Sequence, residues 1–493
     1  MKKNKLLKHP VYTIKDLGKS IPQDPHAVSV CLPTWQSIID YEERKPEIIE
    51  RLELGYPRFI YHPSIIKVHK KFTTNPDFEI QLYPTKKIAQ RAYTFLISKF
   101  PNEPITINDR LGFCILEFPK HCLNEAMYYW QHTGEGISSR QADAIFHHKN
   151  KGAIEESYGL LQKRVADVFN SSISDIYLFP SGMAAINMSM LILKKIFIDR
   201  SFVQFSFPYG DTLKLLEKFN KKRTHFLPRG DEVDLVNLEE LLIKENIAGL
   251  FTEIPSNPLL ASVDLHRLRS LANTYHFPIV VDETLGACIN MKARGFSDIS
   301  TISLTKYFSG EGNVMGGALI LHPDQPYYPI LKPLLDNMHE RNMCYIEDLD
   351  VLNENSMNLK DRIKSINNHA SQIVDFLKQD KRIDSVYYPK ITDNEIYERY
   401  IKPDGGYGGV LSFTLKKPEI KTPVFYDNLK ISKGPNLGAS YSLCCPFVML
   451  AHYNELQWAE DMGASRWLIR LSIGLEPPKE IIKRIKQALD KSV

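Results

Sequence analysis

Apolar positions recur at steps of four and three from residue 154 onward. Ile154, Tyr158, Leu161, Val165 and Val168 fall on one face of a predicted helix. A second helix is predicted after Ser181-Gly182, with Met183, Ile186, Met190, Leu193 and Phe197 on its apolar side. Short apolar runs predict buried strands at 176–179, 202–207, 248–253, 278–282, 299–304 and 317–321. This alternation argues an α/β fold with an open, mostly parallel sheet covered by helices. On such sheets ligands bind outside the carboxyl ends of the strands.

The flanks read differently. Residues 56–61 and 111–116 predict short strands, and Lys86 to Phe100 predicts a helix. After about 345, a long helix is expected over 351–378, strands at 409–414 and 467–472, and an amphipathic helix at 480–490. The expected organisation is a mixed amino-terminal region (1–125), a large domain (126–345) and a smaller α/β domain (346–493). A length of 493 residues fits two or three domains at about 150 residues each.

Composition narrows the function. Hydrophobic residues make up 43% and charged residues 24%, an ordinary globular balance that excludes a disordered or fibrous chain. A net charge of +4 is too mild for this size to imply nucleic acid. Seven scattered cysteines, with no CxxC pair, argue against a zinc site or a disulfide framework and for a reducing compartment. No apolar run reaches the roughly 18 residues that predict a membrane span. The basic start, residues 1–8, lacks a following apolar stretch and reads as a frayed terminus. A cytoplasmic enzyme is the expectation, with no metal.

Three features fall where a ligand is expected. Ser181-Gly182-Met183-Ala184 joins a strand to a helix, where glycine permits close backbone approach and the helix start offers free N–H groups to an anion. The apolar strand 278–282 ends in the carboxylate of Asp282, suited to a cationic ring nitrogen or to a plain turn. The strand 299–304 leads into Thr305-Lys306, with Ser303 and Thr305 on one face and a lysine able to form a Schiff base. An anion cradle, a ring-nitrogen partner and an aldehyde partner are what pyridoxal 5'-phosphate needs from a protein.

With those residues in view, the chain resembles the Cys/Met-metabolism family of pyridoxal-phosphate enzymes. The resemblance rests on Ser181-Gly182-Met183-Ala184, Glu253-Ile254-Pro255-Ser256-Asn257-Pro258, Val281-Asp282-Glu283-Thr284, Ser303-Leu304-Thr305-Lys306-Tyr307 and Arg470-Leu471-Ser472-Ile473-Gly474-Leu475-Glu476. The segments 18–30 and His132-Thr133-Gly134-Glu135-Gly136-Ile137-Ser138-Ser139-Arg140 resemble its fungal-type cystathionine γ-synthase branch. The resemblance implies the aspartate-aminotransferase-like fold of type I pyridoxal-phosphate enzymes.

It also implies roles. Lys306 would carry the cofactor and move protons. Asp282 would pair with the ring nitrogen, and Tyr209 would stack on the ring. Gly182, Met183, Ser303 and Thr305 would hold the phosphate. Arg470 and Asn257 would bind the substrate carboxylate. Arg140 would reach the phosphate of a neighbouring subunit, which implies a homo-oligomer built as a dimer of dimers. Departures are visible too: Ser138 stands where relatives carry a tyrosine, and Pro435-Asn436-Leu437-Gly438-Ala439 stands for Glu-Ser-Leu-Gly-Gly. The implied activity is γ-replacement on an activated homoserine ester with cysteine. A γ-lyase, a homoserine-ester sulfhydrylase and a non-catalytic binding relative stay open as alternatives.

Overall fold

A computed structural model describes residues 4–110, 112–147 and 154–492. Three sheets organise the chain. The first is antiparallel, ordered β1-β3-β2, from β1 (Phe78–Tyr83), β2 (Thr106–Arg110) and β3 (Phe113–Pro119). The helix Lys86–Lys99, capped by the Thr85 hydroxyl, packs beside it.

The second sheet has seven strands: β4 (Ile176–Phe179), β5 (Ser201–Phe205), β6 (Thr224–Leu227), β7 (Ile247–Glu253), β8 (Ile279–Asp282), β9 (Ile299–Ser303) and β10 (Gly317–Leu321). Their order is β4-β10-β9-β8-β7-β5-β6, and only β10 runs against its neighbours. This is the expected mostly parallel sheet, and nearly all its residues are buried, as strands covered on both faces must be. Because β10 opposes both β4 and β9, those two strands point the same way. The carboxyl ends of β4, β9, β8, β7 and β5 therefore share one edge.

The third sheet is ordered β11-β12-β15-β14-β13, from β11 (Ile383–Tyr387), β12 (Val410–Leu415), β13 (Ser432–Lys433), β14 (Leu443–Pro446) and β15 (Ile469–Ser472). The closing helix Pro478–Lys491 buries Ile481, Ile485, Ala488 and Leu489.

Several expectations are corrected. Residues 56–61 form a turn, not a strand. Pro57 has no N–H for a ladder, Phe59 and Ile60 donate back to the Tyr56 carbonyl, and Arg58 sits at φ +82°. The single helix expected over 351–378 is two, Ile346–Asn355 and Leu359–Gln379. The Ser356 hydroxyl adds a second donor to the Leu352 carbonyl, which the Ser356 N–H already bonds, and Arg362 donates to the Asn355 carbonyl at the break. The strand expected to reach 207 stops at Phe205, since Ser206 turns left-handed at φ +66°. Residues 1–3 of the supposed frayed terminus and Leu111 lie outside the described residues. From Asn4 the chain is packed: Leu6 is buried beside Tyr441 and Leu443.

Residues 1–125 divide between two neighbourhoods. Leu17, Val30, Leu32, Trp35, Ile38, Tyr41 and Ile48 pack with the third sheet and its helices. Trp35 stacks on Trp467 at 5.4 Å, and Tyr426 donates to the Leu32 carbonyl at 2.8 Å. Residues from about 65 onward pack instead around the first sheet. The link between the two crosses the carboxyl edge of the large sheet.

Candidate active site

A cavity of about 370 Å³ opens at that edge. Its floor comes from strand ends. β8 ends in Asp282, β9 in Ser303 with Thr305 and Lys306 in the turn beyond, and β7 in Glu253. After β4, Ser181 caps the helix Gly182–Ile196, accepting from Ala184 N at 3.1 Å and donating to the Gly134 carbonyl at 2.8 Å. The N–H groups of Gly182 and Met183, in the first helical turn, have no intrahelical acceptor. A Cβ on Gly182 would meet the Ser303 Cβ at 2.8 Å, so glycine is needed where this helix start abuts β9.

Nine of the ten residues singled out in the sequence line this cavity: Gly182, Met183, Tyr209, Asn257, Asp282, Ser303, Thr305, Lys306 and Arg470. Arg470, on β15, donates to Asn257 Oδ1 at 3.2 Å and to the Pro435 carbonyl at 2.8 Å. Its guanidinium lies 4.5 Å from the Phe447 ring centroid. The tenth, Arg140, is elsewhere. It borders a smaller cavity with His26 and His62, donates to Asp348 at 3.0 Å and to the Asn313 carbonyl at 2.9 Å, and is buried. Its guanidinium thus serves contacts within its own chain.

The sequence reading missed a second set. The turn after residue 55 brings Tyr56 and Arg58 into the cavity. Lys306 Nζ donates to Tyr56 Oη at 2.9 Å and to Asn436 Oδ1 at 2.6 Å. Arg58 donates to Asp211 at 2.8 Å, to Tyr209 Oη at 2.8 Å and to the Gln131 carbonyl at 2.8 Å. His132 Nδ1 lies 3.0 Å from the other Asp211 oxygen. The signal was a proline inside an aromatic-rich run that also carried an arginine, a poor strand on its face.

Electrostatics separate the groups. Burial pushes the Asp282 carboxyl up to about 6, only partly offset by hydrogen bonds from Thr284. Burial and the neighbouring Asp282 charge push Glu253 well above the carboxylate range. Burial lowers the Lys306 amine, opposed by Tyr56 and reinforced by the charges of Arg470 and Arg58. Burial disfavours the Asp211 carboxylate, but Arg58 and His132 outweigh it and hold the group well below its usual range.

The residues fit a pyridoxal-phosphate group. Asp282 is a half-buried acid at the cavity floor with no paired cation among the described residues, which a ring nitrogen's positive charge would relieve. The helix start and the Ser303 and Thr305 hydroxyls suit a phosphate. Lys306 is a half-buried amine held by two oxygens. Fold and site together define the class: a pyridoxal-phosphate enzyme on a doubly wound sheet.

Comparisons agree. The profile described as Cys/Met metabolism PLP-dependent enzyme matches residues 129–490, and that of the fungal trans-sulfuration enzyme N-terminal domain matches 65–138. The chain belongs to the Cys/Met-metabolism family of pyridoxal-phosphate-dependent enzymes. It is 33% identical to a cystathionine γ-synthase of Neurospora crassa, over 96% of this chain and 98% of the relative. It is 29% identical to that of Saccharomyces cerevisiae, over 97% and 99%. Among solved structures, a putative O-acetylhomoserine (thiol)-lyase of Campylobacter jejuni carrying a pyridoxyl-lysine superposes with a TM-score of 0.61. It has 24% identity and covers 71% of this chain and 91% of its own. The cofactor is pyridoxal 5'-phosphate. No helix of the described residues is long and apolar enough to cross a membrane.

Proposed function

We propose that the protein catalyses γ-replacement on an O-acetyl, O-succinyl or O-phospho homoserine, with cysteine as nucleophile, giving cystathionine. The full-length likeness to fungal cystathionine γ-synthase is the observation that carries this reading. The bound cofactor supplies an electron sink conjugated to the substrate Cα. The chain's residues take the other tasks. Arg470 binds the α-carboxylate in a fork, its plane set by Asn257. Gly182, Met183, Ser303 and Thr305 would hold the phosphate, Asp282 would pair with the ring nitrogen, and Tyr209 would stack on the ring.

Lys306 anchors the cofactor at rest. As a free amine it would take the Cα proton, pass it on so that it is neutral again, and then take a proton from Cβ as the ester leaves Cγ; after the thiolate has added at Cγ, protons are returned to Cβ and Cα. Its burial favours the neutral amine that such a base requires. The enzyme is proposed to be a cytoplasmic homo-oligomer.

The test is product identification by mass spectrometry. Purified protein, with cofactor, cysteine and each ester in turn, is expected to yield cystathionine and to hold a borohydride-fixable adduct at Lys306. Ammonia with a 2-oxo acid instead of a thioether would make it a γ-lyase. Homocysteine formed from sulfide in preference to cystathionine would make it a sulfhydrylase. Absence of the adduct would sink the enzymatic reading altogether.

A further inference from the structure

We propose that Tyr56, delivered by the chain's own amino-terminal segment, is the phenol that exchanges a proton with Lys306, and that Tyr209 does not share this task. The proposal rests on the reading of Lys306 as the cofactor lysine and adds the group that manages its charge. Tyr41, Tyr56, Tyr209 and Tyr453 line this cavity, and the surroundings of Tyr56 and Tyr209 differ. Tyr56 Oη accepts from Lys306 Nζ at 2.9 Å, and the ammonium also lies 4.8 Å from the Tyr56 ring centroid. Arg58, two residues on, lies 5.9 Å from the same ring. Tyr209 Oη instead accepts from Arg58 Nη2, whose guanidinium is already neutralised by Asp211.

The charges follow the geometry. Burial alone would raise both phenols. At Tyr56 the charges and hydrogen bonds of Lys306 and Arg58 outweigh it and bring the phenol below its ordinary value. At Tyr209 burial, aided by Asp211 and Tyr56, outweighs Arg58 and holds the phenol well above it. Other charged or titratable groups lining the cavity are Glu42, Arg44, Asp211, Lys214, Glu253, Asp282, His452, Glu455 and Arg470, with the Cys445 thiol. Pairs of titratable groups pushed apart in this way mark which one handles protons.

The exchange is simple. A Lys306 N–H bond breaks and a Tyr56 O–H bond forms, leaving a neutral amine and a neutral phenol. The pair's net charge does not change, so a buried site can arm its lysine without exporting a proton to solvent. The segment is built for this placement. Arg58 occupies a left-handed φ of +82°, an uncommon conformation for a residue with a Cβ, and the packed strap around Trp35 holds the approach to it.

The experiment is a pH titration of phenolate absorbance in the cofactor-free protein. One of the 24 tyrosines is expected to ionise ahead of the rest, as a separate early step. Tyr56→Phe should delete that early step, Lys306→Ala should move it up into the bulk transition, and Tyr209→Phe should leave it in place. An early step that survives both Tyr56→Phe and Lys306→Ala, or that disappears in Tyr209→Phe alone, overturns the proposal. So does a wild-type titration with no early step. Lys306→Ala leaves the Tyr56 segment untouched and decides the matter should Tyr56→Phe fail to fold. The borohydride adduct is read separately: an early step without the adduct removes the cofactor reading of Lys306, and the adduct without an early step removes the proton partner.

Discussion

The cavity has two walls of different origin. The sheet-side wall is made where β4, β8 and β9 end, so Gly182, Asp282, Ser303 and Lys306 arrive through local strand-to-turn geometry. The facing wall is assembled from parts far apart in sequence. Tyr56 and Arg58 come from a turn suspended between two packing neighbourhoods, while Asn436 and Arg470 come from the third sheet's region. On the proposed reading the first wall would hold the cofactor, and the second would set the charge of the lysine and offer a carboxylate grip. Cofactor chemistry would then be built into the sheet, and proton control would depend on how the amino-terminal strap is seated.

This contrast can be broken at each wall. The largest effect is expected at the sheet. Lys306→Ala should lower turnover by about 10³-fold or more and abolish the fixable adduct, while leaving thermal stability of the cofactor-free protein unchanged or raised. Retained turnover near the wild-type level would dismiss the lysine's role.

Asp282→Asn should follow, read as stability against pH in cofactor-free protein. The native carboxyl sits near 6, above its ordinary 3.8. Its favourable contribution is present below about pH 4, is lost between about 4 and 6, and stays lost at higher pH. The asparagine variant should therefore match wild type near pH 4 and exceed it by about 2 kcal/mol above pH 6. The same variant should lose activity with the cofactor bound, the usual exchange of stability for function. Denaturant melts at pH 4 and pH 7.5 check this, and equal differences at both pH values would count against a strained buried acid.

The smallest effect tests the strap. Trp35→Phe weakens the stack on Trp467 and should cost about 1 kcal/mol of stability. It should lower turnover by no more than about tenfold, because Tyr56 is displaced slightly. Cofactor affinity should hold, since Trp35 does not line the cavity. Loss of cofactor affinity in step with turnover would show the two walls to be one unit.

Legibility in the sequence followed the same division. Strands 176–179, 279–282 and 317–321 were readable because each is a short apolar run closed by a turn residue, and their motifs sit within a few residues of their ends. Tyr209, Asn257 and Arg470 were reachable through family motifs, and the cavity does gather them. Tyr56 and Arg58 were hidden because a short aromatic and apolar run was read as a strand, and nothing local announces that a turn will face a lysine 250 residues away. Arg140 was read as reaching a neighbouring subunit, and within its own chain it bonds Asp348, 208 residues on.

By itself the sequence determined the alternating helices and strands, the cofactor class and the sheet-edge residues. Apolar periodicity and strand-end motifs are short-range properties, written within one element and its turn. Only the tertiary structure decided that residues 4 to about 50 pack on the third sheet, that the chain then crosses the cavity mouth, and that Tyr56 meets the amine of Lys306. Those outcomes depend on which apolar faces cover one another over long sequence separations. No local pattern encodes that choice, because it is fixed by the packing of the whole chain.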